Sequence, residues 1–345
     1  MDRIPMQTNI SADQSRFRWV DLIRALGAFL VVLAHVKYSG LGPDVIRDLY
    51  YALTRAAVPL FFMASGYLLL SKNESYSDFF RKRAVKVFIP FLIWSVIYLL
   101  WQGESLDQPL LTIVKVYLYK IVRGPRENHL WFFYELFGLY LFTPILRVYL
   151  QKADRKDLYY FCGAWFLLIP VAKLIQDFTP IQIGFTYYFL AGYIGYFLFG
   201  YLAGIMKFND NHKHIAWIVF LVGLLFTTAG MYLSGYYEIK NQYFEDYLSV
   251  NVVIMSCAFF AALVGRPVSD SAYRFFFPLS RASFGIYLAH VIVMTQFFST
   301  PPFSILPEIG SNVYMIPVLG LLGFGLTFFL IFILQKIPIL KKIVP

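Results

Sequence analysis

Apolar runs of close to twenty residues recur along the whole 345-residue chain, and only 14% of its residues are charged. A soluble domain carries about 25%. A helix rises about 1.5 Å per residue, so about twenty apolar residues cross the hydrocarbon core of a bilayer. The pattern predicts an all-α, polytopic integral membrane protein. Ten transmembrane helices are expected at approximately 17–37, 51–71, 84–102, 130–149, 158–175, 184–205, 214–234, 248–264, 281–299 and 313–335. No small-residue cleavage site follows the first run, which reads as an uncleaved span and not as a signal peptide. Residues 1–16 then form a polar N-terminal tail, 17–335 the membrane domain and 336–345 a short C-terminal tail.

The net charge of +10 raises the question of nucleic acid. The placement of the charges answers it. Arg16 and Arg18 precede the first span, and Lys72, Arg81, Lys82, Arg83 and Lys86 follow the second. Arg147, Lys152, Arg155 and Lys156 follow the fourth, Arg266, Arg274 and Arg281 lie between the eighth and ninth, and Lys336, Lys341 and Lys342 close the chain. The excess on alternate loops places both termini in the cytoplasm by the positive-inside rule. No nucleic-acid partner is expected. Cys162 and Cys257 fall inside spans and make neither a disulfide framework nor a metal site. There is no Walker loop, no glycine-rich dinucleotide turn and no His-x-x-x-His pair, so neither a bound cofactor nor a metal is expected.

The first span carries Asp21, Arg24 and His35, and ionisable groups inside a spanning helix are costly and usually functional. At about 100° per residue, the eleven steps from Arg24 to His35 return to the same face, about 16 Å further along the axis. Asp21 precedes Arg24 by three and can pair with it. Gly27 and Ala28 leave an open strip between cation and imidazole. A lone arginine near a helix end also snorkels to headgroups, and a lone histidine also serves as a satisfied core residue.

Later spans add candidates. Pro59 removes a backbone donor in the second span, and Ser65 and Gly66 suit close helix packing. Arg55 either snorkels or faces the same space as His35. The run Arg81-Lys82-Arg83-Ala84-Val85-Lys86 leads to Pro90 and suits either lipid headgroups or a phosphorylated ligand. Residues 110–120 are apolar but too short to cross, and are expected to lie at the interface. The following segment, Arg123 to Trp131, either contacts a sugar or phosphate or anchors the interface. Glu135 is an acid inside the fourth span that could pair with Arg55 or Arg24. Ser283, Tyr287 and His290 sit at i, i+4 and i+7, one polar stripe on the ninth span.

Four stretches together resemble the membrane-bound acyltransferase 3 family. They are Asp21-x-x-Arg24 with His35, Val58-Pro-Leu-Phe-Phe-Met-Ala-Ser-Gly-Tyr67, the basic run ending at Pro90, and Ser283-Phe-Gly-Ile-Tyr-Leu-Ala-His290; His129-Leu-Trp-Phe-Phe also fits. The resemblance is to the stand-alone form, without a fused esterase-like domain. It implies ten spans in a bacterial inner membrane and transfer of an acyl group, usually acetyl from acetyl-CoA as co-substrate, to a hydroxyl of an envelope glycan or lipid-linked sugar. It also implies Arg24 and His35 as the essential pair. Arg83 and Lys86 fall where the family has Arg-x-x-Arg; lysine meets phosphate as a point charge, without arginine's bidentate fork.

Residues and resemblance together give one expected arrangement. Arg81, Lys82, Arg83 and Lys86, with Arg24, hold the phosphates of the donor, and its pantetheine arm runs along the first helix to His35. An ordinary imidazole pKa near 6.5 makes the neutral base available at pH 7. His35 then acts as general base or as transient acyl carrier, with Tyr287 or Ser65 as oxyanion donors. The alternative from the residues alone is a transporter or flippase of an anionic or sugar-linked substrate. The oligomeric state is left open.

Overall fold

The computed structural model describes residues 17–36, 44–104, 107–184, 192–239, 242–301 and 312–345; the expected 1–16 tail lies outside the described residues. Every regular element among the described residues is helical. Eight helical segments are long and apolar enough to cross a membrane: Val45–Leu70, Tyr76–Trp101, Asn128–Lys152, Arg155–Phe178, Asp210–Tyr236, Tyr243–Leu263, Asp270–Ser299 and Met315–Leu334. This is a multi-pass membrane protein. Two shorter helices, Arg18–Ala34 and Ile194–Ile205, run within the same bundle. Part of the sixth expected span, residues 185–191, lies outside the described residues.

In chain order the helices are α1 (Arg18–Ala34), α2 (Val45–Thr54), α3 (Ala57–Leu70), α4 (Tyr76–Arg83), α5 (Ile89–Trp101), α6 (Leu110–Arg123), α7 (Trp131–Lys152), α8 (Arg155–Phe166), α9 (Ala172–Phe178), α10 (Ile194–Ile205), α11 (Asp210–Tyr236), α12 (Val250–Leu263), α13 (Asp270–Ser299) and α14 (Met315–Leu334). Three interruptions have identifiable causes. The second expected span is two helices broken at Arg55–Ala56, because the Pro59 ring cannot tolerate a helical carbonyl four residues earlier. A π turn at Ala84–Phe88 joins α4 to α5 just before Pro90, and another at Leu167–Val171 contains Pro170. Such turns absorb a missing donor, and they concentrate at functional sites.

The core is built by α1, α3, α12 and the middle of α13. Ten of the seventeen residues of α1 are buried. The helices α5, α8, α11 and α14 instead turn large apolar side chains outward, such as Leu100, Leu225 and Phe329, as lipid-facing surfaces do. Helix α6 is mostly exposed and buries only Tyr117 and Ile121, which fits an interfacial position.

Close backbone approach fixes the contact of α3 with α10. A Cβ on Gly66 would stand 1.8 Å from the Phe197 carbonyl oxygen, and one on Gly200 would stand 2.0 Å from that of Met63. Without a hydrophobic drive between helices in lipid, such small-residue crossings supply the packing. Helices α1 and α13 run parallel: Arg18 pairs with Asp270 at 2.5 Å near both N-termini, and His35 meets His290 further along. The bundle thus has an Arg18 end and a His35 end, and the α1–α13 seam joins them.

Residues 336–345 are folded back against the Arg18 end. The Trp94 indole donates to the Ile343 carbonyl at 3.0 Å, the Gln335 amide donates to that of Val344 at 3.0 Å, and Val344 is fully buried.

Candidate active site

Helix α1 presents its polar residues to α13 in sequence register. Asp21 accepts hydrogen bonds from Ser280 (2.6 Å) and Tyr273 (3.3 Å), while its closest approach to Arg24 is 3.9 Å. The expected Asp21–Arg24 pair is therefore loose, and the α13 hydroxyls are the carboxylate's nearer partners. Arg24 donates to the Ser283 hydroxyl at 3.2 Å, and Ser283 in turn donates to the Ser280 carbonyl at 2.7 Å.

A cavity of about 980 Å³ opens from this point toward the Arg18 end. Its mouth is cationic: Lys72, Arg83, Lys86, Arg281, Lys341 and Lys342. Its walls are apolar, with Ala64, Leu68, Leu69, Leu136 and Phe284, and Arg24, Ser65 and Ser283 are set among them. Its far end is aromatic, formed by Phe61, Phe132 and Tyr287. The Phe61 ring lies over the open strip of α1: a Cβ on Gly27 would meet it at 3.1 Å. The same ring stands 6.1 Å from Tyr287 and 6.2 Å from Phe132, centroid to centroid.

Beyond this layer lies a cluster of three histidines. His35 caps the C-terminus of α1 and is exposed, yet it is absent from the cavity lining. Its open face therefore lies away from the cavity. His290 is fully buried and His129 nearly so. The Tyr287 hydroxyl donates to the His129 carbonyl at 2.6 Å, which commits it to the backbone. The His129 ring lies 4.9 Å from His290 and 6.0 Å from His35.

The hydrogen-bond partners assign the protons. His290 Nδ1 faces the carbonyls of Tyr287 (2.9 Å) and Ile286 (3.2 Å), which only accept, so Nδ1 carries the hydrogen and Nε2 is bare. His35 Nδ1 lies 2.8 Å from the Val31 carbonyl and 3.2 Å from His290 Nε2. It donates to both, which leaves His35 Nε2 with a free lone pair. That arrangement can remove a proton from a hydroxyl. His129 entered the sequence reading only as part of a motif; its role as a wall of this cluster has no signature beyond that.

The remaining candidates separate. Arg55 turns inward, with its guanidinium 5.7 Å from the Tyr247 ring, and is close enough to act electrostatically on His35. Glu135 is exposed and makes no ion pair with Arg55 or Arg24 among the described residues. Arg83 and Lys86 reach the cavity mouth. Arg81 and Lys82 do not: Arg81 pairs with Asp78 at 3.0 Å, and Lys82 with Glu74 at 2.8 Å. Glu74 also receives Arg147 at 3.1 Å and Arg83 at 3.4 Å. Burial pushes its carboxyl up, but the hydrogen bonds from Lys82 and Arg147 and the charges of Arg83 and Arg147 outweigh this and hold it below the usual carboxylate range. Lys72, Arg281, Lys341 and Lys342 were legible in the sequence only as topology charges, because nothing in their spacing brings them to one mouth.

A family model for the acyltransferase domain Acyl_transf_3 matches residues 17–336, nearly the whole chain. The chain belongs to the acyltransferase 3 family. Among curated relatives, a protein named amino-acid racemase from Enterococcus faecalis is 25% identical over 270 residues, which is 70% of this chain and 36% of the relative. One named serine/alanine racemase from Enterococcus gallinarum is 28% identical over 262 residues, 68% of this chain and 36% of the relative. The chain thus spans about a third of the length of the curated relatives it matches. No solved structure matches.

Proposed function

We propose that this acyltransferase moves an acetyl group from cytoplasmic acetyl-CoA to a hydroxyl of an envelope polysaccharide or lipid-linked sugar. It would do so in the bacterial inner membrane, much as the O-acetyltransferase of enterobacterial common antigen does. One observation carries the reading: a cation-mouthed cavity runs past Arg24 and stops one aromatic layer short of His35, whose exposed face lies on the other side. A charged nucleotide with a thin arm of methylenes and amides fits that shape.

The proposed topology has ten crossings, the eight long segments together with α1 and α10. The Arg18 end, which carries most of the cations, is then cytoplasmic with both termini. Donor phosphates meet Arg83 and Lys86 at the mouth. Arg24, held by Ser283, takes the next polar group along the arm. The acyl group reaches the layer of Phe61, Phe132 and Tyr287, and the acceptor approaches from the His35 end, past Arg55.

In the reaction, His35 Nε2 accepts the proton of the acceptor hydroxyl. The oxygen attacks the thioester carbonyl carbon, the carbon–sulfur bond breaks, and the thiolate recovers the proton from the imidazolium. General-base assistance of this kind contributes about 10²–10⁴-fold. The Val31 carbonyl and His290, both accepting from His35 Nδ1–H, hold the ring in the tautomer with Nε2 bare. The Tyr287 hydroxyl is committed to the His129 carbonyl, which favours the hydroxyl of Ser65 over it as an oxyanion donor.

The test is purified protein in nanodiscs with radiolabelled acetyl-CoA and envelope glycan. Covalent label on a glycan hydroxyl, lost in His35→Ala with the fold intact, is the expected result. Label on the protein after a single turnover at neutral pH without acceptor, absent in His35→Ala, would make His35 an acyl carrier. Movement of substrate without covalent label would overturn the transferase reading in favour of a transporter.

A further inference from the structure

The mouth of the cavity is built from four separate pieces of chain: Lys72 after α3, Arg83 and Lys86 around the π turn, Arg281 on α13, and Lys341 with Lys342 in the last turn. No Asp or Glu side chain is among the residues that line it. Arg83 is partly neutralised by Glu74 at 3.4 Å. Lys86, Arg281, Lys341 and Lys342 have no ion-pair partner among the described residues. Burial, followed by the charge of Arg83 and reinforced by Lys82 and Lys86, pushes the Lys72 ammonium below its ordinary range against the pull of Glu74. A rim so crowded with like charge is under-compensated and draws a multivalent anion.

The last turn is held in place as part of this rim. It is pinned immediately after its two lysines. Trp94 of α5 donates to Ile343, Gln335 at the end of α14 donates to Val344, and buried Val344 packs against Gly285 of α13. Between Pro338 and Pro345, both of which line the cavity, the turn Leu340–Lys342 brings two further ammonium groups to the same mouth from a separate piece of chain. The rim therefore gathers cations from separate pieces of chain around one cavity. One group comes from the α4–α5 junction, and another from the last turn with Arg281.

A donor that ends at a single phosphate needs only one of these groups. Coenzyme A carries two anionic centres: a diphosphate and a 3′-phosphate monoester of charge about −1.5 to −2. We propose that Lys341, Lys342 and Arg281 form a subsite for the 3′-phosphate of a coenzyme A nucleotide, distinct from Arg83 and Lys86. The protein then takes its acyl group from CoA thioesters, in preference to donors that end at pantetheine phosphate, such as a carrier-protein arm. This rests on the acyltransferase reading above, because the same cavity must be the donor site.

The experiment measures binding of CoA, dephospho-CoA and 4′-phosphopantetheine to the full chain in nanodiscs by calorimetry. The wild type should bind CoA about tenfold or more tightly than dephospho-CoA, a difference that needs no variant. In the double variant Lys341→Gln and Lys342→Gln, CoA affinity should fall about tenfold to that of dephospho-CoA, while dephospho-CoA affinity holds. Equal wild-type affinity for the two nucleotides overturns the subsite. An equal loss for both in the variant does so too, because it would place the lysines on the diphosphate. If the wild type binds none of the three, the donor-site reading itself fails, and that result is distinct from the other two.

Discussion

His290 Nε2 lies 3.2 Å from His35 Nδ1, and the backbone fixes the other ring nitrogen of His290 as a donor. A buried imidazole on α13 thereby joins the Val31 carbonyl, 2.8 Å from the same nitrogen, in holding the tautomer and ring position of an exposed one on α1. The relation matches a second-layer group that orients a reacting one, and removing such partners typically costs 10–100-fold.

His290→Phe keeps an aromatic ring of similar size but removes the acceptor. The expected outcome is a kcat lower by about 10–100-fold with KM for acetyl-CoA unchanged, because the cavity ends at Tyr287 and does not reach His290. In a His35→Ala background the same change should cost nothing further, since the two residues act as a unit. Steady-state kinetics on the two single variants and the double variant check this. A full rate in His290→Phe would show that the tautomer needs no such support.

Arg24 sits inside the cavity with one hydrogen bond to Ser283. Arg24→Ala should raise the apparent KM for acetyl-CoA about tenfold or more and lower kcat less. Ser283→Ala, which leaves the guanidinium present but unheld, should show a smaller effect in the same direction. Initial-rate kinetics against donor concentration separate these outcomes. A drop in kcat alone would move Arg24 from donor binding to the chemical step.

The helices, the shared face of Arg24 and His35, and the inward stripe Ser283–Tyr287–His290 were all legible because helical spacing determines them locally. Spacing along one helix does not say which other helix it meets. The direct contact of His35 with His290 depends on the parallel register of α1 and α13, 255 residues apart in sequence. The gathering of Lys72, Arg281, Lys341 and Lys342 likewise depends on tertiary packing. Arg81 and Lys82 show the converse: they share the basic run with Arg83 and Lys86, but Asp78 and Glu74 draw them to other partners.

Gly66 allows α3 and α10 to touch backbone to backbone. Gly66→Ala would place a Cβ 1.8 Å from the Phe197 carbonyl oxygen, so one helix must shift away. Overpacking of this kind costs about 1–3 kcal/mol or more. The expected result is a lower melting temperature in detergent and reduced yield of folded protein. Ala64→Gly, two residues away on the same helix, adds no atom to the crossing and should show only the cost of a glycine inside a helix, about 0.5–1 kcal/mol.

Glu74 gathers Lys82, Arg83 and Arg147 on one carboxylate that is 10% exposed. Its folded-state pKa lies below its ordinary value of 4.5. The stability it contributes is therefore fully present above that value and is lost as the pH falls through the folded-state pKa. Glu74→Gln should cost about 3 kcal/mol at pH 7, since it leaves the buried Arg147 guanidinium without its carboxylate. Thermal unfolding of the variant and the wild type should differ most near neutral pH and converge in acid. A gap that stays constant down to low pH would mean that packing, and not charge, accounts for the loss.

Phe61 is the part of the aromatic layer with room to move. It is half-buried, lies over the Gly27 strip of α1, and stands between the cavity and the histidine cluster. An acyl group that travels from the cavity to His35 must pass this ring, and water must be kept from passing it the other way. Phe61→Ala should leave donor affinity near that of the wild type but open the layer, so that hydrolysis of acetyl-CoA without acceptor rises several-fold relative to transfer. Gly27→Ala should act in the opposite sense. Its new methyl meets the ring at 3.1 Å, restricts its movement, and should slow transfer without raising hydrolysis. Thiol release with and without acceptor, measured on both variants, separates a gate from a packing role. If both variants simply lose activity in proportion to lost folded protein, Phe61 serves the core and the passage to His35 lies elsewhere.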